Sequence, residues 1–298
     1  MKTSLSPKDL ASAVGVSESS LKRWADDGRL RVTRTAGGHR RIPIQEAVRF
    51  AREARMPILR PDILGLPELA GARDLKRSQT VEVSLHEKLS AGDVLGAQAI
   101  LLDLYLNGQS IASICDGPIR SAMTRIGEQW QHGEEGIFIE HRATDICLQS
   151  LSVLRSLITR PAEPGALNPD DDTRPVALGA APSGDPYLVP SLMCACVLSE
   201  LGFRCVNVGP DTPFDVLLKA VDAHAPRLVW LACSSEAARP DDKALIELNR
   251  QIKSRHATLV VGGRVLENYH ATGPDAPIFC QTMSELEKYA RGLASTAS

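Results

Sequence analysis

Residues 175–208 read PVALGAAPSGDPYLVPSLMCACVLSELGFRCVNV, and this stretch decides the architecture of the C-terminal part. A short apolar run, Pro175–Ala181, precedes a Pro/Ser/Gly/Asp turn. An apolar helical stretch at about 187–202 follows, then a second apolar run at Arg204–Val208. Short apolar runs alternating with helix-length stretches are the pattern of a parallel sheet, whose strands are covered on both faces. The alternation continues outward. Arg227–Ala232, Thr258–Val261 and Pro277–Gln281 read as strands, with helical stretches at 213–224, 239–255, 264–270 and 283–294. Five β/α units predict a five-stranded parallel, flavodoxin-like (Rossmann-type) α/β domain over residues 175–298. Ligands bind such sheets at the carboxyl ends of the strands, which singles out loops 182–187, 209–213, 233–236 and 262–264.

Upstream, residues 161–174 are rich in Pro and Asp and read as a linker. Residues 79–160 read as a four-helix cap: Val81–Ala91, Asp93–Asn107, Ser110–Gln131 and Ile139–Thr159, with apolar positions every three or four residues. Residues 56–78 carry Pro57, Pro61 and Pro67, which exclude one long coiled-coil helix there, and read as a first linker. The fold class is thus multidomain α and α/β.

Composition bounds the function classes. The chain has 298 residues, 43 % hydrophobic and 23 % charged, ordinary for a soluble protein. No apolar run reaches the ~20 residues of a membrane span, and the N-terminus MKTSLSPKDL has no apolar signal region, so no membrane partner is expected. Seven cysteines, an odd number without scaffold spacing, point to a reducing, cytoplasmic setting. Cys194-x-Cys196 on an apolar helix, with Cys205 nearby, reads as buried thiols rather than a metal site. Residues 179–184 are not a dinucleotide fingerprint, and no P-loop or G-x-S-x-G is present. The net charge of -2 conceals an asymmetry: residues 1–55 hold twelve Lys/Arg against six Asp/Glu. A basic head on an acidic body points to an anionic partner at one end.

The head has its own signals. Ser6-Pro7 opens a helix that stops at Gly15. Ser17 caps a second helix over Glu18–Asp27, with Leu21 and Trp24 facing the core, and Gly28 ends it. Arg29–Val32 and His39–Ile42 read as strands around a Gly37-Gly38 turn, and Pro43 starts a third helix that runs to about Arg55. This is a winged helix-turn-helix pattern. Ser17, Ser19, Ser20, Lys22 and Arg23 on the second helix, and Thr35, Gly38, His39, Arg40 and Arg41 on the wing, are the candidate contacts to double-stranded operator DNA.

Here the sequence resembles the MerR family of bacterial regulators. The resemblance rests on Leu10-Ala11, Gly15-Val16-Ser17, Leu21-Lys22-Arg23-Trp24, Gly28-Arg29-Leu30 and the wing Thr35-Ala36-Gly37-Gly38-His39-Arg40-Arg41-Ile42, over about residues 4–55. Trp130, followed by nine residues and then Glu140-His141, extends it. The layout of head, helical segment and α/β domain is similar to the cobalamin-binding, light-responsive MerR regulators. That resemblance implies adenosylcobalamin as cofactor, with the helical segment over the upper corrin face. It implies that Trp130, Glu140 and His141 line the cavity, that Ser234 or Ser235 contacts the nucleotide tail, and that Gly262-Gly263 leaves room for it. It also implies assembly driven by adenosylcobalamin and undone by light.

The chain departs from that family at its most chemical positions. Cobalt-ligating domains carry Asp/Glu-x-His-x-x-Gly after the first strand; here Asp185-Pro186-Tyr187-Leu188-Val189-Pro190 stands there. A phenol, with an ordinary pKa near 10, is a poor cobalt ligand beside an imidazole. The family's histidine directly after the Trp is Gln131 here, with His132 next, about 100° further around a helix. His132 or His141 would meet cobalt only if a corrin binds. Three sensory readings stay open: a corrin without a histidine beneath it, another tetrapyrrole, or a degenerate, ligand-independent domain. The expected function is a non-enzymatic, sequence-specific transcription regulator. Its C-terminal module would form a homo-dimer or homo-tetramer and so control operator binding. The alternative is a corrinoid carrier serving a methyltransferase.

Overall fold

A computed structural model describes residues 3–66, 81–129, 134–159, 173–267, 269 and 271–295. The chain forms two compact units. The first comprises Met1–Ser110 and Gly117–Asp172; the second comprises Ile111–Asp116 and Thr173–Ser298.

The head of the first unit runs β1 (Ser4–Leu5), α1 (Pro7–Val14), α2 (Glu18–Asp26), β2 (Thr33–Arg34), β3 (Arg40–Pro43), α3 (Ile44–Glu53) and α4 (Pro61–Leu64). Its three short strands form an antiparallel sheet in the order β1-β3-β2, and β1 is an element the sequence did not reveal. A capping box starts α1: Asp9 N–H donates to Ser6 Oγ at 3.1 Å, and Ser6 N–H donates to Asp9 Oδ2 at 3.2 Å. Ser17 Oγ caps α2 by accepting from Ser20 N–H. Leu5, Leu10, Leu21, Leu30, Ile42 and Phe50 are buried, and the rings of Trp24 and Phe50 lie 5.3 Å apart, so Trp24 is a core residue as read. Two expectations are corrected. Arg29–Val32 is not a strand: Arg29 and Leu30 N–H close the end of α2 onto Trp24 O, and the strand is two residues later. Residues 56–66 are not a free linker. Leu59 and Arg60 N–H both donate to Ala13 O, and Leu64 and Leu66 are buried, so this segment completes the head. The rest of the expected linker, 67–78, lies outside the described residues.

The helical part of the first unit contains α5 (Val81–Ala91), α6 (Val94–Leu106), then after α7 (Ile111–Ile114) the helices α8 (Arg120–Gln129) and α9 (Glu134–Ile158). The expected single helix over 110–131 is broken. Residues Cys115–Ile119 form a π turn around Pro118, which has no N–H for an α ladder. Helix α9 begins five residues earlier than the apolar pattern predicted. The head docks on this part through α3: Gln45 Nε2 donates to Ser156 O, Arg52 Nη2 donates to Gln109 O, and the Arg52 guanidinium lies 3.5 Å from the Tyr105 ring centroid.

The second unit continues β4 (Val176–Pro182), α10 (Leu188–Glu200), β5 (Arg204–Thr212), α11 (Phe214–His224), β6 (Leu228–Ala232), α12 (Asp242–Lys253), β7 (Thr258–Gly262), β8 (Ile278–Phe279) and α13 (Met283–Ser295). All neighbouring strands are parallel and the order is β5-β4-β6-β7-β8, the flavodoxin-like arrangement. The expected helix at 264–270 is only a 3-10 turn, Arg264–Leu266. Segment 111–116 belongs to this unit by its own bonds. Ile111 N–H donates to Glu200 Oε2, and the Asp116 carboxylate accepts from Met283 N–H, Ser284 N–H and Ser284 Oγ, capping α13.

Candidate functional site

The strand order reverses at β4, so the loops after β4 and β6 diverge and leave a crevice, where such sheets take ligands. Here Asp185 fills it. Its carboxylate is completely buried and accepts from Ser234 N–H at 2.5 Å, Ser235 N–H at 2.9 Å and Tyr187 N–H at 3.1 Å. Charge-assisted bonds of this kind contribute roughly 1.5–3 kcal/mol each. A second aspartate locks the same loop from the other side. Asp211, in the left-handed region at φ 48°, accepts from Gly184 N–H at 2.7 Å and donates its own N–H to Asp185 O at 2.9 Å. Asp185 was expected to face a ligand, but its oxygens are turned to these backbone amides. Asp211 was missed: 209–213 was expected to be a loop, but β5 runs on to Thr212 and places Asp211 beside the turn after β4.

Tyr187 stands at the start of α10, 41 % exposed. The Arg264 guanidinium lies over its ring, 4.9 Å from the centroid, and Arg264 Nε donates to Ser234 O at 2.5 Å. Arg264 therefore lies over one face of the phenol and ties it to the loop after β6; the sequence singled out its loop, 262–264, but not the residue. Gly262 and Gly263 also find their reason inside the unit. A Cβ on Gly262 would lie 2.3 Å from Cys280 O, and one on Gly263, at φ 118°, 2.0 Å from Cys233 O. Neighbouring backbone therefore excludes a side chain at either position. Ser234 is 6 % exposed, with its backbone committed to Asp185 and Arg264.

The layer between α10 and the sheet is equally filled. Trp230, 1 % exposed, donates Nε1–H to Ser191 Oγ at 2.9 Å, and Ser191 donates to Asn207 Oδ1 at 2.9 Å. A Cβ on Gly179 would stand 2.1 Å from the indole. A corrin held from below by a protein imidazole, with its tail threaded into this unit, does not fit these residues. No imidazole is present at 187, the Asp185 carboxylate fills the switch-point crevice, and Trp230 fills the layer under α10.

In the helical part, Glu140 is half-buried and His141 exposed, their side chains 3.6 Å apart. Trp130 and His132 lie outside the described residues. Arg142, one residue on, was missed: it stacks on Phe138, bonds Ser90 O, and its Nε is buried without a partner, as are Ser90 Oγ and His86 Nε2. Among the described residues no cluster of His, Cys, Asp or Glu can hold a metal ion. No helix among them is long and apolar enough to cross a membrane.

In the head, Ser19, Lys22, Arg23, Thr35, Gly38, His39 and Arg41 are exposed. Ser17 Oγ lies 2.8 Å from Ser19 Oγ and 2.9 Å from Ser20 Oγ, and Lys22 pairs with Glu18 at 2.9 Å. Thr35 Oγ1 accepts from His39 N–H and closes the wing, where Gly38 takes φ 78°. Arg40 is different from its neighbour. Its Nη2 lies 2.5 Å from Asp26 Oδ1 and its Nη1 donates to Lys22 O, so it straps the wing to the end of α2.

Residues 81–155, a quarter of the chain, match the family model of a B12 binding domain. No curated protein matches. Among solved structures, the monomethylamine corrinoid protein of Methanosarcina barkeri is 14 % identical with a TM-score of 0.50, over 70 % of this chain and 96 % of that one. A cobalamin-binding protein from Desulfitobacterium hafniense is 16 % identical with a TM-score of 0.33, over 72 % and 98 %. The methanol:cobalamin methyltransferase complex of Methanosarcina barkeri is 14 % identical with a TM-score of 0.35, over 76 % and 84 %. The helical segment 81–155 is thus similar to a B12 binding domain, and the chain shares a fold with a corrinoid protein.

Proposed function

We propose that the chain is a corrinoid-binding transcription regulator. Its winged head engages duplex DNA and its C-terminal module, self-associating as a dimer or tetramer, sets the strength of that engagement. The B12-binding match at residues 81–155 supports the corrinoid. The observation that carries the DNA reading is the head itself. It presents α2 and the wing with Lys22, Arg23, His39 and Arg41 exposed, on a scaffold built to hold them.

The second reading, a corrinoid carrier for a methyltransferase, is favoured by the fold shared with the monomethylamine corrinoid protein. Against it stand Tyr187 at the place of the cobalt-ligating histidine and a basic head for which a carrier has no use.

One experiment separates them. The full chain is titrated with a mixed-sequence duplex over a salt series, with and without adenosylcobalamin, and its absorption spectrum is read after gel filtration. A regulator retains the corrinoid and binds DNA with log K falling linearly against log salt. A chain that retains the corrinoid and binds no duplex at about 50 mM salt is a carrier.

A further inference from the structure

We infer that this protein takes a corrinoid without inserting a nucleotide tail beneath the ring. The ligand class is a corrinoid that keeps its lower base on its own cobalt, or one that has no nucleotide at all. The inference rests on the corrinoid reading and narrows it.

Two closures carry it. The switch-point crevice is plugged by the buried Asp185 carboxylate with its three amide donors, and Asp211 clamps the segment that would have to move. The layer between α10 and the sheet is filled, with Trp230 bonded through Ser191 to Asn207 and pressed against Gly179. A nucleotide entering from the carboxyl edge would have to break charge-assisted bonds inside a low-dielectric crevice, leaving Ser234 and Ser235 N–H buried and unpaired. The sequence showed only that the histidine is missing. The packing adds that restoring it would not open the site.

The test uses the full chain, adenosylcobalamin and adenosylcobinamide, which lacks the nucleotide. An inserted tail buries a base and a ribose and favours cobalamin by well over tenfold, so equal affinities within about threefold are expected here. The cob(II)alamin complex should keep the nitrogen splitting of the ligand's own base in its electron paramagnetic resonance spectrum. The variant Tyr187→His should keep it too. Cobalamin binding more than about tenfold tighter than cobinamide, or a base-off spectrum in either protein, overturns the inference and leaves the corrinoid reading standing. Failure of both corrinoids to bind overturns the corrinoid reading, and this inference with it.

Discussion

Arg40 and Arg41 are neighbours of the same type on the same strand, and they have different fates. Arg40 spends its guanidinium on Asp26 and the Lys22 carbonyl, with its side chain 24 % exposed. Arg41 is exposed, with no ion-pair partner among the described residues. Their consequences for DNA differ in kind. Arg41→Ala should weaken duplex binding and lower the salt slope by about one, because one phosphate contact is lost. Arg40→Ala should weaken binding and leave the slope unchanged, because it frees the wing from α2; Asp26→Asn should do the same. Affinities over a salt series check this, and a slope change in Arg40→Ala would place that residue on a phosphate. In the sequence the two charges look alike, because the partner of Arg40 lies fourteen positions away and meets it only in the fold. Tyr187 shows the same limit: its identity was legible, its cover by Arg264 was not.

At the scale of elements, whatever depends on near neighbours in the chain was readable. Ser6 and Ser17 cap the helices their positions announced, Asp93 caps the helix it was read as opening, and all five strands of the parallel sheet overlap the apolar runs, with β5 extending past Val208 to Thr212. The break at Cys115–Ile119 was not readable, since Pro118 inside an apolar period is compatible with a kinked helix or a stop. The Asp93 cap yields a pH prediction. The Lys88 ammonium, at 2.7 Å, and the Gly96 N–H hold its carboxyl below the ordinary aspartate range. A carboxyl lowered on folding stabilises fully above the unfolded value and loses that contribution as pH falls through the lowered one. The stability gap between wild type and Asp93→Asn should therefore be widest near neutrality and shrink between about pH 4 and pH 2. Urea midpoints at several pH values measure it; a gap independent of pH would detach the carboxylate from the cap.

For the whole molecule, burial governs the seven thiols, none of them in a disulfide. Desolvation pushes Cys147, Cys233 and Cys280 up to about 12 and raises Cys194 as well, and only Cys205 is not fully buried. A thiol reagent at pH 8 should thus modify at most one cysteine quickly in the native chain and all seven in urea; several fast native thiols would contradict this packing. The Cys194-x-Cys196 motif was legible as core because it falls in an apolar helix. The division of the chain into units was not, because nothing in the composition of residues 111–116 distinguishes them from their neighbours, yet they fold with the α/β unit. Asp116 supplies the acceptors for the first amides of α13, and Glu200 is spent on Ile111. The chain therefore enters that unit, leaves it and enters it again. A fragment cut at residue 173 would be an incomplete fold, with a helix end uncapped and the faces of α10 and α13 stripped of α7. Expression boundaries, domain swaps and gene fusions must keep residue 111 onward in one piece: the two units form a single heritable cassette rather than separable beads.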